Sequence, residues 1–282
     1  MVPRSTEIES KLARLSDRLR ELGSVLVCYS GGVDSAFLLA AAHRELGSRA
    51  VGMTAVSPSL APAERDEAVD LARAIGADHR LVESKEMEDP DYVKNAPDRC
   101  FHCKSELYRI AAAKRMEWNL SAIVNGTNLD DLGDYRPGLD AAKAAGVVSP
   151  LVECGFSKAD VREAAHVYTL PVWDKPAAAC LSSRIPYGTS VTRERLTQIG
   201  GFEAALKRLG FRVVRVRYHD DLARIELDTS ELVRAAEPAI RAEIVAAGKQ
   251  HGFKYVTLDL IGYRTGSHNE VLVGRALRVV TS

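Results

Sequence analysis

The sequence predicts an α/β protein, a parallel sheet covered on both faces by helices, followed by a smaller α+β domain. Three observations carry that expectation. Short apolar runs alternate with longer stretches of helical period through about residue 170, which argues for βα units joined by right-handed crossovers. The first apolar run, Val25-Leu26-Val27-Cys28, feeds Ser30-Gly31-Gly32, and a helical run opens at Val33; this is the layout of a buried parallel strand turning into a helix. After Pro171 the periodicity lapses and short alternating runs follow. The boundary is therefore expected near residue 175, giving domains 1–175 and 176–282.

Taken in order, residues 8–22 read as an amphipathic helix with Leu12, Leu15, Leu19 and Leu22 on one stripe. The helix after Gly32 should end near Gly47, and 50–56 makes a second strand ending in Ser57-Pro58. A helix at 62–75 and a third strand at 79–83 follow. Arg99-Cys100-Phe101-His102-Cys103-Lys104 opens a helix expected over 105–116. A fourth strand, 121–124, runs into Asn125-Gly126-Thr127-Asn128-Leu129-Asp130-Asp131. Residues 147–152 read as a fifth short strand, and 157–168 as a helix with Ser157 as N-cap and Asp160 three residues on. The proline-bracketed stretch 173–188 reads as a loop between domains. Beyond it come a helix at 193–209 and a strand at 212–218 whose alternation puts Arg215 and Arg217 on one face. A turn at His219-Asp220-Asp221 leads to a returning strand, 223–227, with Arg224 and Glu226 on one side, as in a hairpin. A helix at 230–247, a strand at 255–260 and the loop Gly262-Tyr263-Arg264-Thr265-Gly266-Ser267 complete the reading.

Composition narrows the function classes. With 282 residues, 46% hydrophobic and 27% charged, the chain can bury a sizeable core. Lys+Arg and Asp+Glu balance at 38 each, so no overall basic field recruits nucleic acid. No apolar run approaches the roughly 18 residues of a membrane span, and the N-terminus has no signal- or transit-peptide layout; the expectation is a cytoplasmic protein with no membrane partner. Five cysteines, an odd number, suit reduced thiols used for chemistry or metal better than a disulfide framework.

The Ser-Gly-Gly turn is where an anion is expected. Gly31 and Gly32 let the backbone approach a ligand, and the N–H groups of the first helical turn form an electropositive nest extended by the hydroxyls of Ser30 and Ser35. The Gly-Lys-Ser/Thr ending of a Walker loop is missing. Ser30-Gly31-Gly32-Val33-Asp34-Ser35 instead resembles the PP-loop of the ATP pyrophosphatases. That resemblance implies a Rossmann-like domain that cleaves ATP between the α- and β-phosphates and places AMP on a substrate oxygen, Asp34 helping to hold Mg²⁺. Gly126, Thr127 and Asp131 lie in a motif that lines the nucleotide pocket in the same superfamily. Ser57, at a neighbouring strand end, is a reasonable wall for adenine. The plain alternatives are a Ser/Gly helix start and ordinary polar βα turns.

Arg215 and Arg217, with Arg184, Ser182 and Ser183 on the preceding loop, offer a clamp for phosphate or carboxylate; the alternative is a solvated charged face. Together the PP-loop, Gly-Thr-Asn-x-Asp-Asp, Trp-Asp-Lys-Pro-x-x-x-Cys-Leu-Ser-Ser-Arg, the paired arginines and Gly-Tyr-Arg-x-Gly-Ser resemble the LarE-type sulfur transferases nearly end to end. That family implies adenylation of the ring carboxylates of a nicotinate-derived mononucleotide and their conversion to thiocarboxylates for a nickel-pincer cofactor. It also implies Cys180 as the sulfur-handling residue, with Ser182, Ser183, Arg184, Arg215, Arg217 and Glu226 near the substrate, and a homo-oligomer.

The remaining cysteines divide the family's mechanisms. One branch sacrifices a single cysteine, left as dehydroalanine; another holds a [4Fe-4S] cluster on three cysteines and uses an external sulfide donor. Cys100, Cys103 and Cys180 match the second, a C-x-x-C chelate plus a distant thiolate. The sacrificial route, a zinc site that enlists His102 and a redox dithiol stand as alternatives. Cys28 and Cys154 read as structural. Two other functions share parts of the pattern: a tRNA-thiolating PP-loop enzyme, and a nucleotide-binding regulatory module without catalysis.

Overall fold

The computed structural model describes residues 4–133, 137–176 and 179–264. The chain forms two compact units, one of Met1–Tyr92 with Pro97–Ala178, the other of Val93–Ala96 with Ala179–Ser282.

In the first unit, helix α1 (Arg4–Leu22) precedes strand β1 (Val25–Cys28), which turns into α2 (Val33–Leu46). Strand β2 (Ala50–Val56), helix α3 (Pro62–Ile75) and strand β3 (Asp78–Glu83) follow, then the single turn α4 (Pro90–Val93) and the long helix α5 (Arg99–Glu117). Strand β4 (Ala122–Val124), helix α6 (Pro137–Ala144), the turn α7 (Pro150–Glu153) and helix α8 (Lys158–Val167) complete it. The four strands form one parallel sheet in the order β3-β2-β1-β4. Consecutive β1 side chains alternate between its two faces, as the pleat requires. Val25 and Val27 join the core beneath α1, α2, α3 and α8, while Leu26 joins Ile110, Ala111 and Ile123 beneath α5. Helix α2 is buried almost all round, with Phe37, Leu38 and Leu39 fully enclosed, so it belongs to the core rather than to the surface. The glycine stop expected near Gly47 follows α2, and Gly76 caps α3 in the left-handed region.

The second unit contains helix α9 (Arg193–Arg208), strands β5 (Val214–His219) and β6 (Leu222–Leu227), helices α10 (Leu232–Ala236) and α11 (Pro238–Gln250), and strand β7 (Tyr255–Leu258). β5 and β6 pair antiparallel with Arg215 opposite Glu226 and Arg217 opposite Arg224. β7 adds parallel to β6. Phe202, Phe211, Val214, Val216, Ile225 and Phe253 are buried in its core. Residues Thr265 to Ser267 of the C-terminal loop motif lie outside the described residues. Among the described residues, no helix is long and apolar enough to cross a membrane.

Three expectations are corrected. The fifth strand reduces to a single parallel bridge, Val148 to Val124. Pro150 starts a helical turn there instead, because proline lacks the ladder N–H but suits a helix's first turn. The helix expected over 230–247 is broken at Pro238, whose predecessor Glu237 is extended at φ −58°, ψ 138°, the conformation proline imposes on the residue before it. Helix α5 begins at Arg99 rather than at residue 105, so both cysteines of the C-x-x-C pair are helical.

A buried ion pair ties the chain's start to α8. Lys11 Nζ donates to Asp160 Oδ2 at 2.7 Å, and the same carboxylate closes a capping box with Ser157. Burial works to raise the Asp160 pKa, but the bonds from Lys11 and Ser157 outweigh it and hold the carboxyl below its usual range. Its stabilisation is therefore present above the ordinary carboxylate pKa and fades as pH falls through the depressed folded value. Asp160→Ala should cost about 2–4 kcal/mol in urea unfolding at pH 7, and the gap from wild type should shrink toward pH 3; a gap independent of pH would show that packing, not charge, sets it.

Candidate functional site

The turn from β1 to α2 is built by close approach. Tyr29 N donates to Met53 O at 2.9 Å, extending the β1–β2 ladder into the turn. Gly31 then takes φ +73°, and a Cβ there would meet the Ala68 Cβ of α3 at 2.8 Å, so both conformation and clearance demand glycine. Gly32 is the N-cap of α2 and has no side chain to cap it. The hydroxyls of Ser30 and Ser35 lie 3.1 Å apart, and Ser35 Oγ accepts from Ser30 N and donates to Gly32 O. A loop whose hydroxyls are held this way presents the N–H groups of the α2 N-terminus in a fixed array.

Asp34, in the first turn of α2, is where the other strand ends meet. Asn128 Nδ2 donates to its Oδ1 at 3.1 Å, and Lys158 Nζ to its Oδ2 at 2.5 Å. Asn128, almost wholly buried, also donates its backbone N–H to Asp131 Oδ2 at 3.0 Å, and Lys158 N donates to Asp130 Oδ2 at 2.5 Å. One asparagine and one lysine thus tie Asp34 to the acidic pair after β4. Gly126 is pressed against this corner: a Cβ there would lie 2.8 Å from Ser35 N and 2.9 Å from the Asp34 carbonyl carbon. Thr127 N donates to Asn125 Oδ1 at 3.2 Å, and Ser149 Oγ donates to the same oxygen at 2.9 Å. Ser57 and Ser59 both donate to Glu86 Oε1, at 2.5 and 2.6 Å, which pins the loop after β2.

Three of these residues escaped the sequence reading as site residues. Lys158 sits in the first turn of α8, where a cation opposes the helix dipole; that local conflict was the available signal. Asn128 lay inside the motif but was not singled out, and Glu86 carried no signal at all.

At the cysteine pair, Cys100 is exposed and Cys103 half-buried in the first turns of α5, neither of them in a disulfide. Cys28 is pushed up to about 12 by burial and Cys154 is raised by burial too; both are held as protonated, packed thiols.

In the second unit, Cys180 is exposed and free, immediately before a 3₁₀ turn at Leu181–Arg184. Its carbonyl accepts from Ser183 Oγ at 2.8 Å and Arg184 Nη1 at 3.0 Å. Arg184 is buried and forked onto Glu203 at 2.9 and 3.1 Å, and Glu203 also accepts from Val216 N. Arg217 is forked onto Glu226 at 2.9 and 2.8 Å while its Nη1 donates to Ser183 O at 2.9 Å. The two arginines therefore brace the 180–184 turn from below, their charge balanced by buried carboxylates. Ser182 is fully buried. Arg215 shares the strand face with Arg217, donates to Val214 O at 2.8 Å and lies 5.2 Å over the Tyr263 ring. Glu226 is shared with Arg224 at 3.2 Å, and Arg224 is also paired with Asp259.

A parallel sheet whose first βα turn is Ser-Gly-Gly-x-Asp-Ser, with an acidic pair gathered on its aspartate, defines an ATP-using enzyme of the PP-loop pyrophosphatase superfamily. Residues 7–113 match the asparagine synthase family model. Over 94% of its length the chain is 45% identical to an uncharacterized protein of Synechocystis sp., covering 99% of that protein. It is 36% identical to pyridinium-3,5-bisthiocarboxylic acid mononucleotide synthase of Lactiplantibacillus plantarum, over 94% of this chain and 96% of that one. An uncharacterized protein of Methanocaldococcus jannaschii is 28% identical over 90% of this chain. The chain belongs to the LarE-type family of adenylating sulfur transferases.

Because the β4 end and the α2 start have no room between them, Gly126→Ala should force the Asp34–Ser35 backbone to move. We expect a loss of about 1–3 kcal/mol in stability together with weakened ATP binding by calorimetry; unchanged ATP affinity in the folded variant would separate this contact from the nucleotide site.

Proposed function

We propose that the enzyme adenylates the carboxylates of pyridinium-3,5-biscarboxylic acid mononucleotide, a nicotinate-derived mononucleotide, and converts them to thiocarboxylates for a nickel-pincer cofactor. The observation that carries the reading is Cys180, an exposed free thiol on a turn whose backbone is clamped by Arg184 and Ser183. The printed name of the Lactiplantibacillus relative supplies the product class.

The chemistry asks for both halves of such a protein. A carboxylate oxygen attacks the α-phosphorus of ATP, the bond to the β-phosphate bridge oxygen breaks, and pyrophosphate leaves. Sulfur then attacks the acyl carbon and AMP departs with the bonding pair. In this reading Ser30, Gly31, Gly32 and Ser35 cradle the phosphates, Lys158 offsets their charge, and Ser57, Gly126 and Thr127 line the nucleotide. Asp34 and Asp131 are hard oxygen donors joined through Asn128, a set that fits Mg²⁺; they would hold the ion, which would neutralise phosphate charge. Ser183 and Arg215 serve the mononucleotide, with the buried Ser182, Arg184, Arg217 and Glu226 positioning them.

Cys100, Cys103 and Cys180 are outside any disulfide, and two stand one helical turn apart, so the donor set fits a [4Fe-4S] cluster. Those three would hold it, and an open iron would carry sulfide from an external donor. We place the enzyme in the cytoplasm as a homo-oligomer. Sacrifice of Cys180 itself is the second reading, favoured by that residue's exposure.

Asp34→Ala should abolish pyrophosphate release while keeping a native circular dichroism spectrum, since a polar residue at a helix start contributes only about 1 kcal/mol. Normal release from the folded variant would sink the PP-loop assignment. Anaerobically purified protein should contain iron and sulfide, and Cys100→Ser, Cys103→Ser and Cys180→Ser should each lose both iron and turnover. An iron-free protein ending as dehydroalanine at position 180, with Cys100→Ser still active, would establish sacrifice instead. Sulfur incorporated into tRNA and not into the mononucleotide would overturn the acceptor.

A further inference from the structure

His102 lies between the paired cysteines in sequence, yet its ring is engaged elsewhere. Nδ1 is 3.6 Å from Asp89 Oδ2 and Nε2 is 3.6 Å from Asp98 Oδ2. One donor atom each from Asp89, Asp91 and His102 lie within 4.8 Å of one another. Asp91 N donates to Asp89 Oδ1 at 2.9 Å, which leaves Oδ2 for the imidazole side. A separation of 3.6 Å is too long for a hydrogen bond. It is close to the gap between two ligands of one divalent ion bound at about 2.0–2.2 Å. Asp98 Oδ2 lies 3.6 Å from Nε2 on the far side of the ring, also beyond hydrogen-bond distance.

We propose that Asp89, Asp91 and His102 bind a zinc-like divalent transition cation. One imidazole with two carboxylates suits a borderline ion of this kind, whereas Mg²⁺ and Ca²⁺ prefer oxygen donors alone. The ion brackets the turn α4 and the first turns of α5, the helix that carries Cys100 and Cys103. This site is separate from the cysteine donors and does not depend on the proposed sulfur chemistry.

The test is anaerobic Co²⁺ titration of EDTA-stripped full-length protein in a Cys100→Ser/Cys103→Ser/Cys180→Ser host, read by visible d–d absorption and by melting temperature. The expected result is one Co²⁺ per chain with a weak N/O-type band, no thiolate charge-transfer band, and a higher melting temperature. Asp89→Asn and His102→Asn in that host should each weaken binding at least about tenfold. Should His102→Asn fail to fold, Asp91→Asn, at an exposed position, takes its place. Saturable binding that survives Asp89→Asn and His102→Asn, or the absence of any N/O band in the host, overturns the site.

Discussion

The end of β4 approaches the first turn of α2 so closely that Gly126 has no space for a side chain beside Ser35 N and the Asp34 carbonyl carbon. Much of the first unit depends on that contact. It sets α2 against the sheet, where its nearly all-apolar surface is absorbed by α1, α3 and α8, and it brings the acidic loop to Asp34. Asn128 and Lys158 then complete the corner by hydrogen bonding both Asp34 oxygens. A charged network of this kind is held by geometry more than by strength, since partly exposed ion pairs contribute little to stability. It fixes where the carboxylate and the ammonium stand.

The second unit solves a related problem with buried arginines. Burying Arg184 and Arg217 is tolerable because each finds a forked carboxylate, Glu203 or Glu226, of matching geometry. Arg184 Nη1 and Arg217 Nη1 also donate to backbone carbonyls of the 179–183 segment. The outcome is an exposed cysteine on a turn that is not free to drift, built from side chains that a sequence reader takes first for a substrate clamp.

Legibility followed the range of the interactions. The capping box at Ser157 and Asp160, the glycine after α2 and the arginine alternation on β5 are local patterns, and all stand as read. The fifth strand failed because an apolar run before a proline looks the same whether it ends in a ladder or in a helical turn. The helix expected over 230–247 failed because Pro238 was given too little weight against helical periodicity. Helix α6 was not anticipated. Asn128 was quoted without its role, since a buried asparagine and a loop asparagine are identical in sequence.

By itself, then, the sequence determined the class of the fold, the Ser-Gly-Gly turn into α2 and the family, because apolar periodicity, glycine placement and motif spacing are carried by neighbouring residues. Only the tertiary structure decided that Lys158, 124 residues from Asp34, is its ion partner. It likewise decided that Arg184 and Arg217 spend their charge on Glu203 and Glu226, and that the His102 ring faces Asp89 and Asp98. Those pairings rest on which surfaces the packed helices and strands bring within about 3 to 4 Å, a condition that no local pattern encodes.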